Sequence, residues 1–194
     1  MRPLNPQDDP HGFSYTLMIA GFGGQGVLII GNLLAYAAMK EGRNVSYLPI
    51  YGVEMRGGTA DCTVVISSRE IGSPLVERAD AVIVMNPNSL PKYEKRVRKD
   101  GLLFINASLI KPEEASRQDV TLLPIPFNDI ALETGNARLA NMVAIGAFTE
   151  KTRLVQRASL SNAFENVLDK RYHSLIPANM KALEKGAEFI RSLS

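Results

Sequence analysis

The sequence predicts an α/β fold with a Rossmann-like, mostly parallel sheet flanked by helices. Short apolar segments alternate with amphipathic helical stretches over the first two thirds of the chain. A glycine-rich turn, residues 21–26, lies between the first apolar segment and the first helical stretch. From Phe127 onward the apolar spacing is that of helices. We expect these C-terminal helices to cover one face of the sheet.

Six segments are predicted as strands because they are apolar or alternating and too short for helices. They are residues 16–20, 44–50, 60–67, 81–85, 102–106 and 120–125. Residues 51–58, which join the second and third strands, hold three glycines and have no hydrophobic period. This pattern indicates a loop with special backbone requirements. We expect the strand pair around the loop to add an antiparallel element.

Five helices are predicted, and the second of them has a recognisable beginning. Asn86 is a suitable N-cap, and Pro87 suits the first helical position. The basic residues expected on the solvated surface of this helix are Lys92, Lys95, Arg96, Arg98 and Lys99. The other predicted helices are residues 27–40, 136–151, 160–168 and 177–193.

The length of 194 residues favours a single α/β domain, residues 15–194, after a flexible N-terminal arm, residues 1–14. The 22 basic and 20 acidic residues nearly balance, so the charge gives no reason to expect nucleic-acid binding. No apolar run approaches the roughly 20 residues that cross a bilayer, and no signal peptide is evident. We therefore expect a cytoplasmic protein that does not contact membranes.

Cysteine and histidine are scarce in this chain. The single cysteine, Cys62, excludes an internal disulfide framework and a cysteine-ligated iron–sulfur cluster. It lies in a predicted strand and is expected to be a small core residue. His11 and His173 are the only histidines, which makes a structural zinc site improbable. His173 is expected at the surface, and the pattern indicates neither catalytic residues nor metal ligands.

The glycine turn is the first candidate binding feature. Gly21, Gly23 and Gly26 match the dinucleotide fingerprint between a strand and a helix. The helix N-terminus there would attract phosphate or another anion. However, the second strand lacks the terminal acid that holds a ribose hydroxyl. A stand-alone NAD(P)-binding oxidoreductase therefore remains an alternative, as does a turn that only packs the helix on the strand.

The loop at residues 51–58 is the second candidate feature. If its strand is part of the parallel sheet, it lies at the carboxyl end, where ligands bind, and faces the glycine turn. Arg56 can pair with a phosphate or carboxylate through two hydrogen bonds. Glu54 can orient Arg56 or accept from the N–H groups of the turn. In the alternative reading, an internal pair of Glu54 and Arg56 only shapes the loop.

Together the two loops resemble the gamma subunit, or gamma domain, of 2-oxoacid:ferredoxin oxidoreductases. The matching motifs are Gly21-Phe22-Gly23-Gly24-Gln25-Gly26-Val27, then Tyr51-Gly52-x-Glu54-x-Arg56-Gly57-Gly58, and later Asn141-Met142-Val143 with Gly146-Ala147. The similarity covers roughly residues 15–190. One departure is Val53, where the family usually has proline.

The resemblance implies a Rossmann-like subunit of an enzyme that decarboxylates a 2-oxoacid on thiamine diphosphate. Electrons then pass through iron–sulfur clusters to ferredoxin, and the product is acyl-CoA. By this resemblance, thiamine diphosphate and the clusters belong to partner subunits, namely alpha, beta and a ferredoxin-like delta. The gamma subunit would support assembly and border the coenzyme A site. A homodimer of the isolated chain is kept as an alternative state.

We therefore predict a subunit that is non-catalytic by itself, binds no cofactor alone and shares a CoA site with its partners. The residues predicted to border this site are Gly21, Gly23, Gly24, Gln25, Gly26, Tyr51, Glu54, Arg56, Gly57 and Gly58. Gln25 would supply a side-chain amide, and Glu54 would hold Arg56 in place. A pure scaffold, whose loops touch only protein, is the second alternative function.

Overall fold

The structure is a computed structural model that describes residues 12–51 and 58–193. Six strands form one sheet. They are β1 (Ser14–Phe22), β2 (Asn44–Tyr51), β3 (Thr59–Ser67), β4 (Ala79–Val84), β5 (Val97–Asn106) and β6 (Thr121–Ile125). The helices are α1 (Val27–Lys40), α2 (Leu90–Tyr93), α3 (Phe127–Glu133), α4 (Ala140–Thr152), α5 (Arg157–Val167) and α6 (Ile176–Ser192).

The strand order is β2-β3-β1-β4-β5-β6. Strands β1, β4, β5 and β6 run parallel to one another, and Leu17 of β1 lies opposite Ala81 of β4. Strand β3 runs antiparallel to both of its neighbours, β1 and β2. The predicted α/β class with a mostly parallel sheet is confirmed. The antiparallel element is β3, which lies between β1 and β2.

The two faces of the sheet are covered unequally. Leu17 and Ile19 of β1 pack in a core with the buried sides of α1, α4, α5 and α6. Met18 and Ala20 point to the other face, where Leu90 and neighbouring residues cover them. This alternation follows from the two-residue period of a strand. The C-terminal helices therefore cover one face, as predicted.

The helix predicted after Asn86 is much shorter than expected. The Asn86 side chain caps the 3-10 turn Pro87–Ser89 that leads into α2, by accepting from Ser89 N–H at 3.0 Å, as the sequence suggested. Helix α2 then ends at Tyr93, and β5 begins at Val97, which is fully buried and paired with Ala79. Arg98 and Lys99 consequently lie on a strand, and the prediction that a helix carries them is wrong.

Arg98 explains part of this difference. Its guanidinium forms an ion pair with Asp80 at 2.6 Å. The other carboxylate oxygen of Asp80 accepts from the backbone N–H of Thr16 in β1 at 2.7 Å. The contacts join the early part of β5 to the start of the central strands. A run of basic residues does not reveal such a pairing, because the partner carboxylate is distant in sequence.

At the N-terminus, β1 begins at Ser14, two residues before the strand predicted from the sequence. The carbonyl oxygen of Phe13 accepts from Ser68 N–H at 3.0 Å, which ties this end of the chain to the end of β3. Residues 1–11 of the predicted arm lie outside the described residues. Over the described ranges, no helix combines the length and apolar character that crossing a membrane requires.

Helices α4 and α6 approach each other closely enough for backbone contact. A Cβ atom at Gly146 would lie 1.8 Å from the carbonyl oxygen of Leu183. A Cβ atom at Gly186 would lie 2.0 Å from the carbonyl oxygen of Val143. Both distances are far shorter than van der Waals contact, so only glycine fits at either position. The main chains of α4 and α6 therefore approach closely at these two glycines, within the shared apolar core.

We predict that Gly146→Ala lowers the free energy of unfolding by about 3 kcal/mol, because the added methyl group has no space. The loss corresponds to a fall in Tm of roughly 6–12 °C for a chain of this size. Urea and thermal unfolding followed by circular dichroism would measure it. Gly72→Ala is the matched control, since a Cβ there meets no atom within 4 Å. Equal stability of the two variants would contradict the backbone contact.

Candidate functional site

The glycine turn connects β1 to α1 at the carboxyl end of the parallel strands. Gly24 and Gly26 have φ values of 97° and 73°, which a residue with a Cβ atom adopts only with strain. Gln25 N–H donates to Phe22 O at 3.1 Å and closes the turn. Gly26 O accepts from Ile30 N–H at 3.1 Å, so Gly26 is the N-cap of α1.

The glycines are needed for different reasons. A Cβ atom at Gly21 would lie 2.7 Å from Oε1 of Gln25, so Gly21 leaves room for that side chain. A Cβ atom at Gly26 would lie 2.3 Å from Nδ2 of Asn141, in the first turn of α4. Around Gly24 no atom lies within 4 Å of an added Cβ. A glycine is therefore needed at position 24 only because of the backbone conformation, and this position faces open space.

Gln25 fastens the turn to the neighbouring strand. Its Oε1 accepts from Phe22 N–H at 2.8 Å and from Asn86 Nδ2 at 2.9 Å, while its Nε2 donates to Met85 O at 3.2 Å. The side chain therefore bridges the end of β1 and the end of β4. The role of Gln25 as a hydrogen-bond donor to a ligand stays a prediction. The second N–H of its side-chain amide is available to make that bond.

A row of side-chain amides continues from Gln25 along the sheet edge. Asn106, at the end of β5, donates from Nδ2 to Met85 O at 3.1 Å and to Asn128 Oδ1 at 2.7 Å. Asn86 and Asn106 are almost fully buried. Sequence reasoning identified Asn86 as a cap but missed this row. The available signal was that Asn86 and Asn106 each stand at the end of a parallel strand.

The second loop meets the glycine turn through the main chain. Gly23 N–H donates to Gly58 O at 3.1 Å. The strand register also places the two loops at the same edge, because Ala60 lies opposite both Gly21 of β1 and Tyr51 of β2. The structure thus brings Tyr51 and Gly58 to the predicted edge. Glu54, Arg56 and Gly57 lie outside the described residues.

The position of β3 bears on the NAD(P) alternative. In the dinucleotide fold the strand that carries the ribose-binding acid lies next to the strand of the glycine turn. Here β3 separates β2 from β1, and β3 runs in the opposite direction. The end of β2 is therefore one strand farther from the turn than that mode of binding requires. Together with the missing acid, this geometry disfavours a stand-alone dinucleotide site.

Electrostatics at this edge favour an anion. Helices α1 and α4 both begin here, as the close approach of Gly26 and Asn141 shows. No acidic side chain lies in the first turn of either helix, and no side chain caps α1. The N–H groups of Gly24 and Gly26 make no hydrogen bond to another described residue. Helix N-termini carry partial positive charge, which suits phosphate or carboxylate.

Cys62 is a core residue, as predicted. Its side chain is buried under α1, and a Cβ at Gly31 would lie 2.6 Å from its Sγ. Burial, with a smaller contribution from Asp61, raises the pKa of the Cys62 thiol to about 12. The thiol is therefore protonated at physiological pH and has little nucleophilic character.

Two other predictions concern residues away from the turn. His173, expected at the surface, is partly buried, and its Nε2 lies 3.0 Å from Leu168 O. The side chains of Lys92, Lys95, Arg98 and Lys99 are exposed, as expected, and Arg96 is partly buried. Across the described ranges, no group of three or more His, Cys, Asp and Glu residues could hold a metal ion.

Comparison with known proteins identifies the family. Residues 16–189 match the family described as pyruvate ferredoxin/flavodoxin oxidoreductase. The match covers nearly the whole chain, so the chain belongs to this family. The family resemblance seen in the two glycine-rich loops is confirmed.

Named relatives fall into two lengths. The ketoisovalerate oxidoreductase subunit VorA of Methanothermobacter marburgensis is 35% identical over 96% of this chain. The chain spans only 39% of that longer relative. The 2-oxoglutarate synthase subunit KorC of Methanocaldococcus jannaschii is 31% identical, over 91% of this chain and 94% of its own length.

Solved structures agree with the fold. The gamma subunit of a keto/oxoacid ferredoxin oxidoreductase from Geobacter sulfurreducens superposes with a TM-score of 0.78 at 24% identity, over 92% of this chain and 99% of its own. The 2-oxoglutarate:ferredoxin oxidoreductase from Magnetococcus marinus gives a TM-score of 0.81 at 22% identity, over 93% of this chain and 32% of its own. At these identities the likeness concerns the fold alone.

The raised pKa of Cys62 predicts a pH dependence of stability. The fold keeps the thiol protonated, so the unfolded chain loses this proton near pH 9 and the folded chain only near pH 12. Stability must therefore fall as the pH rises through this range. Between pH 8 and pH 10 the loss due to Cys62 is about 1.4 kcal/mol.

Urea unfolding of the unmodified protein and of Cys62→Ala, each at pH 8 and pH 10, measures this loss as a difference of differences. Titration of tyrosine and lysine side chains is common to both proteins and cancels. An equal loss of stability in the two proteins would contradict the buried, protonated thiol.

Proposed function

We propose that this chain is the gamma subunit of a 2-oxoacid:ferredoxin oxidoreductase and is not catalytic by itself. The observation that carries the proposal is the meeting of two glycine-rich loops and two helix N-termini at one sheet edge, in a member of this family. KorC, 94% of whose length lies in the matched region, supports a separate subunit of this size. The complex would oxidatively decarboxylate a 2-oxoacid to acyl-CoA and pass electrons to ferredoxin.

The redox and decarboxylation groups belong, in this proposal, to partner subunits. A cluster ligated by four cysteines does not fit a chain with one cysteine, and that cysteine is buried and protonated. The partners are alpha, beta and ferredoxin-like delta subunits, in the cytoplasm. A homodimer of the isolated chain is a secondary proposal.

Coenzyme A is the proposed ligand of the shared site. The turn N–H groups and Arg56 would face its phosphates, with Glu54 holding Arg56 and Gln25 adding its amide. The helix N-termini supply the positive potential that a phosphate needs. The Magnetococcus marinus enzyme, which has this fold, carries coenzyme A and succinyl-CoA in its solved structure. That observation supports the choice of ligand for the same fold here.

We predict that Arg56→Ala in the assembled complex raises the KM for CoA about 10-fold or more and leaves the KM for the 2-oxoacid unchanged. The reason is the loss of a charged hydrogen bond to phosphate. Steady-state assays of CoA-dependent 2-oxoacid oxidation, with ferredoxin or a dye as acceptor, measure both constants. Size-exclusion chromatography shows whether the complex remains assembled.

Arg69→Ala is the matched control, because Arg69 is exposed and follows the opposite end of β3. It should leave both constants unchanged. If Arg56→Ala prevented assembly without changing the KM of the residual complex, the pure scaffold would be favoured. If neither assembly nor KM changed, the assignment of Arg56 to the shared site would be wrong.

A further inference from the structure

Asn141 lies at the glycine turn and was assigned no part in the site. It stands in the first turn of α4 and is only 6% exposed. Its Nδ2 lies 2.3 Å from the position that a Cβ of Gly26 would occupy, while its Cγ and Cβ lie at 2.9 and 3.1 Å. The amide nitrogen is thus the atom nearest to Gly26, so the end of the side chain points at the turn.

The orientation of the Asn141 amide is fixed by a hydrogen bond. Its Oδ1 accepts from Met142 N–H at 3.0 Å, which leaves Nδ2 as the end that faces Gly26. Within ranges 12–51 and 58–193, no acceptor bonds to Nδ2. The side chain therefore presents unused donors at the turn.

The unused donors of Asn141 converge with those of the main chain. Gly24 and Gly26 offer N–H groups that bond to no described residue, and α1 lacks a side-chain cap. The first turns of α1 and α4 contain no acidic side chain. All of these groups donate, and none accepts. Such a set of donors fits an oxyanion with several acceptor oxygens, of which phosphate is the clearest example.

We propose that Asn141 is a ligand-contacting residue that donates a hydrogen bond from Nδ2 to a phosphate oxygen of CoA. This inference rests on the proposed function, and it adds a residue from α4 to the donors of the glycine turn. Gly26 has a second role in it, because only a residue without a side chain leaves the amide free to reach the turn. The phosphate is either the pyrophosphate or the 3′-phosphate of CoA.

The test is Asn141→Asp in the assembled complex. An Asp side chain is isosteric and still accepts from Met142 N–H, but it replaces the donor with a negative charge facing the phosphate. An acid in the first turn of α4 also suits the helix dipole, so the Tm should be unchanged or higher. We expect the KM for CoA to rise about 10- to 100-fold with kcat retained. The affinity for CoA then falls while the Tm stays the same or rises. Replacing a residue with a purely structural role would not have this effect.

Asn179→Asp is the matched control. Asn179 is also 6% exposed, but its Nδ2 donates to Leu175 O at 2.8 Å within α6. Replacing this donor with an acid should lower the Tm and leave the KM for CoA unchanged. If Asn141→Asp prevented assembly, Asn141→Ser, which keeps an acceptor for Met142 N–H, would be measured in its place.

Assays with three acyl acceptors distinguish a contact with the pyrophosphate from one with the 3′-phosphate. The acceptors are CoA, 3′-dephospho-CoA and pantetheine. A contact with the pyrophosphate predicts that the variant weakens use of the first two and leaves pantetheine unaffected. A contact with the 3′-phosphate predicts that only CoA is affected. Equal weakening of all three would overturn the phosphate contact.

Comparison with Arg56→Ala separates this inference from the proposed function. If Arg56→Ala raised the KM for CoA and Asn141→Asp did not, the role of Asn141 would be wrong and the proposed function would stand. If neither variant changed it, the proposed CoA site itself would be wrong.

Discussion

The ladder of hydrogen bonds between β1 and β3 is the interaction on which the candidate site depends. Because β3 runs antiparallel to β1, the end of β1 meets the beginning of β3, and Gly23 N–H reaches Gly58 O. A parallel strand in the same place would put its carboxyl end there and carry the second loop to another position. The direction of one strand thus decides that two glycine-containing segments, distant in sequence, share one edge.

Rigid support of the turn is the second requirement of the site. Gln25 links the ends of β1 and β4, and Asn106 extends the connection to Asn128 after β6. These amides bond mainly to one another and to main-chain carbonyl groups, so they fix the donors of the turn before any ligand arrives. Preorganised donors bind with a smaller entropic cost than donors that must be ordered. A subunit without reactive groups can contribute to an enzyme in this way.

Much of the fold was predictable because it depends on local patterns. Short apolar strands, the glycine turn and the Asn86 cap are each visible within a few residues of sequence. The antiparallel pairing of β2 and β3 was expected, but the position of β3 between β1 and β2 was not, since the order of strands in a sheet leaves no local pattern. The end of α2 was missed for a similar reason: Val97 joins the sheet, and the basic residues around it are compatible with either structure.

The geometry of the turn was predictable only where glycine marked it. Gly24 and Gly26 have backbone conformations that the sequence signals directly. Asn106 is an ordinary polar residue, and Asn141 belongs to a motif shared with the family, but the place of both beside the turn follows only from the fold. A single asparagine in a helix has no pattern that separates a surface position from a buried donor. The contact between Gly26 and Asn141 joins two helices that the sequence separates by more than half the chain.

The central place of β1 has a consequence for synthesis of the chain. Leu17 of β1 pairs with Val64 on one side and Ala81 on the other, and both of these residues follow it in the sequence. Strands β3 and β4 emerge from the ribosome after β1, so the apolar residues of β1 remain unpaired until then. Non-local pairing of this kind slows folding and exposes strand edges to aggregation. The glycine turn acquires its contact with Asn141 later still, when α4 emerges.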